Sequence, residues 1–155
     1  EAARPPTKRS AVYTIGYEGH SLERYLNTLL RAGVTVLCDV RRNPLSRKYG
    51  FSKTTLSRAC EGVGIRYEHI SELGIASDDR RELDSQESYD ALFAAYGRDY
   101  LPKQTESIRK IEAWVAAGES VALTCYEHLP HLCHRHCVSD ALADLSRGAF
   151  VAQHL

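Results

Sequence analysis

A chain of 155 residues, 43% hydrophobic and 26% charged, has the length and mix of an ordinary folded unit, which excludes a disordered or low-complexity protein. Its 20 basic and 20 acidic residues cancel, so any affinity for phosphate or nucleic acid has to come from local clustering. No apolar run approaches the roughly 20 residues that a bilayer span requires, so no membrane association is expected.

Residues 1–10 carry Arg4, Pro5, Pro6, Lys8 and Arg9 with no apolar stretch behind them. They read as a flexible basic arm rather than an export signal, leaving 11–155 as one α/β domain. Val12 to Ile15 is a short β-type run closed by Gly16-Tyr17-Glu18-Gly19. Ser21 then stands where a helix N-cap belongs, and Leu22, Tyr25, Leu26, Leu29 and Leu30 recur at helical spacing up to Gly33. Val34 to Cys38 is apolar on both faces, as suits a strand buried in a parallel sheet.

A loop punctuated by Pro44 and Gly50 follows, and Ser52 is placed to cap a helix from Lys53 to about Glu61, stopped by Gly62 and Gly64. Ile65 to Ile70 is a third strand, and Gly74 to Gln86 a polar surface loop. Helices are expected at about Glu87 to Tyr96 and Pro102 to Ala117. Val121 to Cys125 is a fourth strand, Cys133 to Ser146 a last helix, and Phe150 to His154 a closing strand or a tail. The pattern predicts a Rossmann-like α/β domain, with a mainly parallel sheet of four to five strands flanked by helices.

In such a sheet, ligands bind outside the carboxyl ends of the strands. Glu18 follows the first strand, Asp39, Arg41 and Arg42 the second, and Cys125 and Glu127 the fourth, so these side chains are expected to share one crevice. Asp39 to Lys53 holds five cations and feeds a helix N-terminus, an arrangement suited to phosphate or carboxylate. Arg41, Arg42, Arg47, Ser52 and Lys53 are the candidate anion-binding residues. Gly16, Tyr17, Glu18 and Gly19, with Tyr67, are candidates for the ligand-lining wall, although both tyrosines also suit plain packing.

The segment from Cys125 to Cys137 is dense in cysteine and histidine. Glu127 is a candidate acid or base, Arg135 and His134 candidates to stabilise developing charge, and Cys125 and Cys133 candidate nucleophiles or ligands. No Cys-x-x-Cys pair occurs and no cofactor or metal is predicted, with a zinc site on Cys125, Cys133, His134 and Cys137 kept as an alternative. The five cysteines are an odd number, and with no export signal they point to reduced thiols and a cytoplasmic protein.

Several ordered motifs resemble the domain-of-unknown-function family 488 (DUF488). They are Thr14-Ile15-Gly16-Tyr17-Glu18-Gly19, Asp39-Val40-Arg41-Arg42-Asn43-Pro44, Ser46-Arg47 with Gly50-Phe51-Ser52-Lys53, Gly64-Ile65-Arg66-Tyr67-Glu68-His69, Leu73-Gly74, Cys125-Tyr126-Glu127 and Cys133-His134-Arg135. They run from about residue 12 to 145; Cys137 and His128, His131 and His136 lie outside them. The resemblance implies a compact α/β domain and brings no settled reaction. The residues themselves favour an enzyme acting on an anionic, phosphate-bearing substrate, a nucleotide or a nucleic-acid end. The alternatives are a non-catalytic nucleic-acid-binding module, or a metal or redox thiol protein using Cys125, Cys133 and His134.

Overall fold

The computed structural model describes residues 11–75, 85–127 and 134–155. The expected basic arm, most of the polar loop after Gly74, and His128, His131 and Cys133 lie outside the described residues. Five strands form one parallel sheet: β1 (Val12–Gly16), β2 (Val36–Asp39), β3 (Arg66–His69), β4 (Val121–Cys125) and β5 (Ala152–His154). Their spatial order is β3-β2-β4-β1-β5. The chain therefore is α/β and Rossmann-like, and the closing segment is a strand, pairing Val12 with Ala152.

The helices are α1 (Leu22–Ala32), α2 (Lys53–Gly62), α3 (Gln86–Ala95), α4 (Thr105–Ala116) and α5 (Arg135–Leu145). Ser21 caps α1 by accepting from the Arg24 N–H at 3.1 Å, and Gly33 ends it in the left-handed region with φ 78°. That conformation is nearly free for glycine and costly for a residue with a Cβ. The helix expected from Pro102 starts later. Tyr96–Tyr100 makes a π turn and Leu101–Gln104 a 3-10 turn, and the regular α-helix begins at Thr105.

β2 and β4 are buried on both faces, and their side chains alternate between two cores. Val36, Cys38, Val121, Leu123 and Cys125 meet α4 and α5 through Ile111, Val115, Val138 and Leu142. Leu37 and Ala122 meet α1 and α2 on the other side through Tyr25, Leu29, Leu56 and Cys60. Burial also pushes the Cys60 and Cys137 thiols up to about 12 and that of Cys38 higher still, which leaves all three inert at neutral pH. Among the described residues, no helix is long and apolar enough to cross a membrane.

The parallel register sets the working edge. Gly16 pairs with Cys125, Asp39 with Thr124, and Asp39 with His69, so four strands finish side by side. β1 and β4 are neighbours, yet the chain leaves β1 for α1 on one face and leaves β4 for α5 on the other. That divergence opens the crevice of a doubly wound sheet. Leu123 is fully buried at the centre of this frame. Leu123→Ala should destabilise the chain by about 3 kcal/mol, read as a lower urea midpoint at unchanged slope.

Candidate functional site

Asp39 ends β2 fully buried, and a carboxylate in that position needs a partner. Arg41 supplies it. Its Nε donates to Asp39 Oδ1 at 2.8 Å and its Nη2 to Oδ2 at 2.6 Å, a bidentate pair with both side chains out of solvent. The Arg41 backbone N–H donates to Oδ1 at 3.1 Å, and the Tyr67 hydroxyl to Oδ2 at 2.5 Å. Arg41 Nη1 then reaches forward to the Phe51 carbonyl at 2.7 Å. Burial pulls the guanidinium down, but the hydrogen bonds and charge of Asp39 outweigh it, and the net shift is upward. The Tyr67 phenol is raised by burial and by Asp39, so it stays a donor.

Arg41 therefore anchors the loop that the sequence analysis assigned wholly to anion binding. Tyr17 is likewise buried; its ring stacks on Phe51 at 4.6 Å and lies under the Arg41 guanidinium, 5.2 Å from it. Tyr17 and Tyr67 thus both serve the Asp39–Arg41 cluster. Glu18 and Gly19 are exposed beside it, with the Glu18 N–H donating to the Tyr126 carbonyl at 2.8 Å.

The remaining loop cations point another way. Arg42, Arg47 and Lys53 are exposed and Lys48 half-buried, and among the described residues none of the four forms an ion pair. Ser52 precedes α2 in extended backbone, yet its side chain does not cap the helix. Its Oγ instead accepts from the Ser46 N–H at 2.9 Å and donates to the Ser46 carbonyl at 3.1 Å, folding the loop on itself. The first turn of α2 contains no acidic residue and starts with Lys53, whereas α1, α3 and α4 each carry a glutamate there. A lysine at that end opposes the helix dipole.

The third wall comes from β4 and α5. Arg135, at the first turn of α5, is fully buried and donates from Nη1 to the Glu127 carbonyl at 2.5 Å. Burial lowers its guanidinium to about 10, opposed by the charge of Glu127. A Cβ on Gly16 would lie 1.7 Å from the Glu127 oxygen and 3.0 Å from Arg135 Nη1, so only glycine lets the chain after β4 cross here. His134 is buried and its Nε2 donates to the Val40 carbonyl at 2.6 Å, tying the start of α5 to the end of β2. His69 Nε2 donates to the Arg41 carbonyl at 2.7 Å. Glu127 is half-buried, with Oε2 3.8 Å from Cys125 Sγ.

The expectation of reduced thiols fails at Cys125, which is disulfide-bonded; Cys38, Cys60 and Cys137 are free. Counting cysteines cannot register this, because a disulfide depends on two Cα atoms approaching within about 4–7 Å, which only the fold decides. In this oxidised state Cys125 is neither nucleophile nor metal ligand. Among the described residues, no group of three or more His, Cys, Asp or Glu is arranged to hold a metal ion.

The structure also shows a cleft of about 490 Å³ beside Arg42, lined by Ile75, Leu92, Ala95, Tyr96 and Tyr100 among others. Of the expected site residues that are described, Arg42 alone lines it. The cleft's one signal was a pair of tyrosines four residues apart at the end of an expected helix.

The family model described as Domain of unknown function DUF488 matches residues 21–142. No curated protein and no solved structure matches the chain significantly.

Two stability measurements probe this geometry. Asp39→Ala strands a buried guanidinium and should cost about 3–5 kcal/mol, with much of the loss recovered in the double variant Asp39→Ala/Arg41→Met. Gly16→Ala should cost about 3 kcal/mol through backbone overlap with Glu127. Urea unfolding at wild-type midpoints would contradict both assignments.

Proposed function

The chain belongs to the DUF488 family, and from that premise, which carries no reaction, we propose that it binds an anionic, phosphate-bearing ligand, a nucleotide or nucleic-acid end, at the carboxyl edge of the sheet. One observation carries this reading: Arg42, Arg47, Lys48 and Lys53 make no ion pair among the described residues, on a loop clamped at both ends. The segment's only carboxylate, Asp39, is taken up by Arg41. Four like charges on one short loop repel one another, and a bound polyanion relieves that repulsion.

The clamp argues against a merely solvated basic loop. Arg41 fixes it at Phe51, the Lys53 N–H donates to the Pro44 carbonyl at 2.8 Å, and Ser52 closes on Ser46. With Ser52 diverted and no acid nearby, the start of α2 suits an anion. Glu127 is the group we assign to acid–base work, half-buried next to the Arg135 guanidinium. Arg135 and His134 position the segment that carries it.

A second reading rests on the disulfide at Cys125. Its Sγ lies 3.6 Å from Arg135 Nη1, so reduction by a dithiol would leave a Cys125 thiolate against a guanidinium, a setting that favours thiol–disulfide exchange. The two readings separate experimentally. If the anion reading holds, Arg42→Ala/Lys53→Ala weakens binding of a mononucleotide or short oligonucleotide by about tenfold or more and flattens its salt dependence, while Cys125→Ser leaves both unchanged. Unaltered affinity in the loop variant, measured by titration calorimetry at two salt concentrations, would reject it. Glu127→Gln should keep the affinity and suppress turnover of any phosphate ester the wild type cleaves.

A further inference from the structure

We infer that the cleft beside Arg42 seats the base of a mononucleotide whose phosphate is held by the arginine loop, an assignment that rests on the anion-binding reading and narrows its ligand. Arg42 is the one residue common to the basic loop and the cleft. It is exposed and tethered only lightly, its Nη1 donating to the Tyr100 hydroxyl at 3.2 Å. A guanidinium carries five N–H donors, so most of this fork is left for an anion at the rim.

Behind Arg42 the lining turns apolar. Ile75, Leu92 and Ala95 give a surface for a flat ring, and the volume of about 490 Å³ falls within the range of small-ligand sites. Tyr96 and Tyr100 stack at 5.5 Å between centroids. Their hydroxyls donate to the turn just before Gly74, Tyr96 to the Leu73 carbonyl and Tyr100 to the Glu72 carbonyl at 2.6 Å, which fixes both rings beside the cleft. Both rings belong to the π turn Tyr96–Tyr100, a rare geometry that is frequent at functional sites. On the other wall, a Cβ on Gly74 would lie 2.1 Å from the Arg42 backbone nitrogen, so glycine there is what lets the Arg42 backbone pack against this wall.

The ligand chemistry follows from this sequence of surfaces: an anion at the rim, then a flat ring on an apolar floor. Asp99 also lines the cleft; its two oxygens each accept from Arg98 at 2.9 Å, and a carboxylate keeps further lone pairs that suit an exocyclic amino group such as that of adenine.

The test compares adenosine 5′-monophosphate, ribose 5-phosphate and phenyl phosphate on the full chain by calorimetry, with the tyrosine ring resonances followed by NMR. Adenosine monophosphate should bind about tenfold or more tighter than ribose 5-phosphate, consistent with the usual worth of stacking one base, and should shift the Tyr96 and Tyr100 rings. Leu92→Trp, which fills the cleft, should bring it down to the ribose 5-phosphate level and leave ribose 5-phosphate unchanged. Equal affinities with unmoved tyrosines would overturn the base site while the anion reading stands; failure of every phosphate to bind would overturn both. Phenyl phosphate matching the nucleotide would overturn the nucleotide assignment in favour of a general aryl phosphate. Should Leu92→Trp not fold, the wild-type tyrosine shifts decide.

Discussion

The carboxyl edge is organised by the Asp39–Arg41 pair, and most of what surrounds it can be understood as a consequence of burying those two charges. A buried carboxylate and a buried guanidinium each lose several kcal/mol of hydration, which their mutual attraction offsets only when the remaining lone pairs and N–H groups also find partners. Asp39 takes two bonds from the Arg41 guanidinium, one from its backbone and one from Tyr67. Arg41 places its third nitrogen on Phe51, ten residues ahead. A pair this fully satisfied fixes geometry more than it adds stability. The end of β2, the ring of Tyr17 and the far end of the basic loop are all held to one point.

A second junction depends on sterics rather than charge. β1 and β4 lie side by side but hand the chain to opposite faces of the sheet, so the segment after β4 must pass over the end of β1. Gly16 is where it passes, with the Glu127 carbonyl occupying the space a side chain would need. Arg135 grips that same carbonyl from α5, and His134 grips Val40 from the neighbouring residue. The acid–base candidate Glu127 is thus located by its own backbone, with its side chain half-buried near Cys125.

The fold was largely legible in the sequence because periodicity records which face is buried. Leu22, Tyr25 and Leu29 announce α1, and the unbroken Val36-Leu37-Cys38 run announces a strand covered on both sides. The π turn was not legible, since Tyr96 and Tyr100 fit a helical spacing as well as they fit what the chain does. The site was legible only as a neighbourhood. Residue type and position after a strand brought Asp39, Arg41, Arg42, Glu127 and Arg135 to one edge, but spacing cannot say which cation will be spent on which carboxylate. Nor could it show that Ser52, placed as a helix cap, spends its hydroxyl on Ser46. The oxidation state of Cys125 was misjudged for the same reason: the count of cysteines is a property of composition, whereas their pairing is a property of distance.

Arg41 and Arg42 show how finely this distinction runs. They are adjacent and chemically identical, and a basic loop treats them as equivalent. The chain bends at Arg42, just past the end of β2. Asp39 and Arg41 meet each other; Val40 is buried and Arg42 emerges at the rim of the cleft. Their contacts therefore separate the two arginines: Arg41 is a structural member bound to Asp39, and Arg42 stays exposed with one bond to Tyr100. The arginine loop does not begin as a uniform cradle. Its first guanidinium is committed to holding the loop in place, and this commitment is what allows the second to be presented, unpaired with any carboxylate among the described residues, at a fixed position beside an apolar floor.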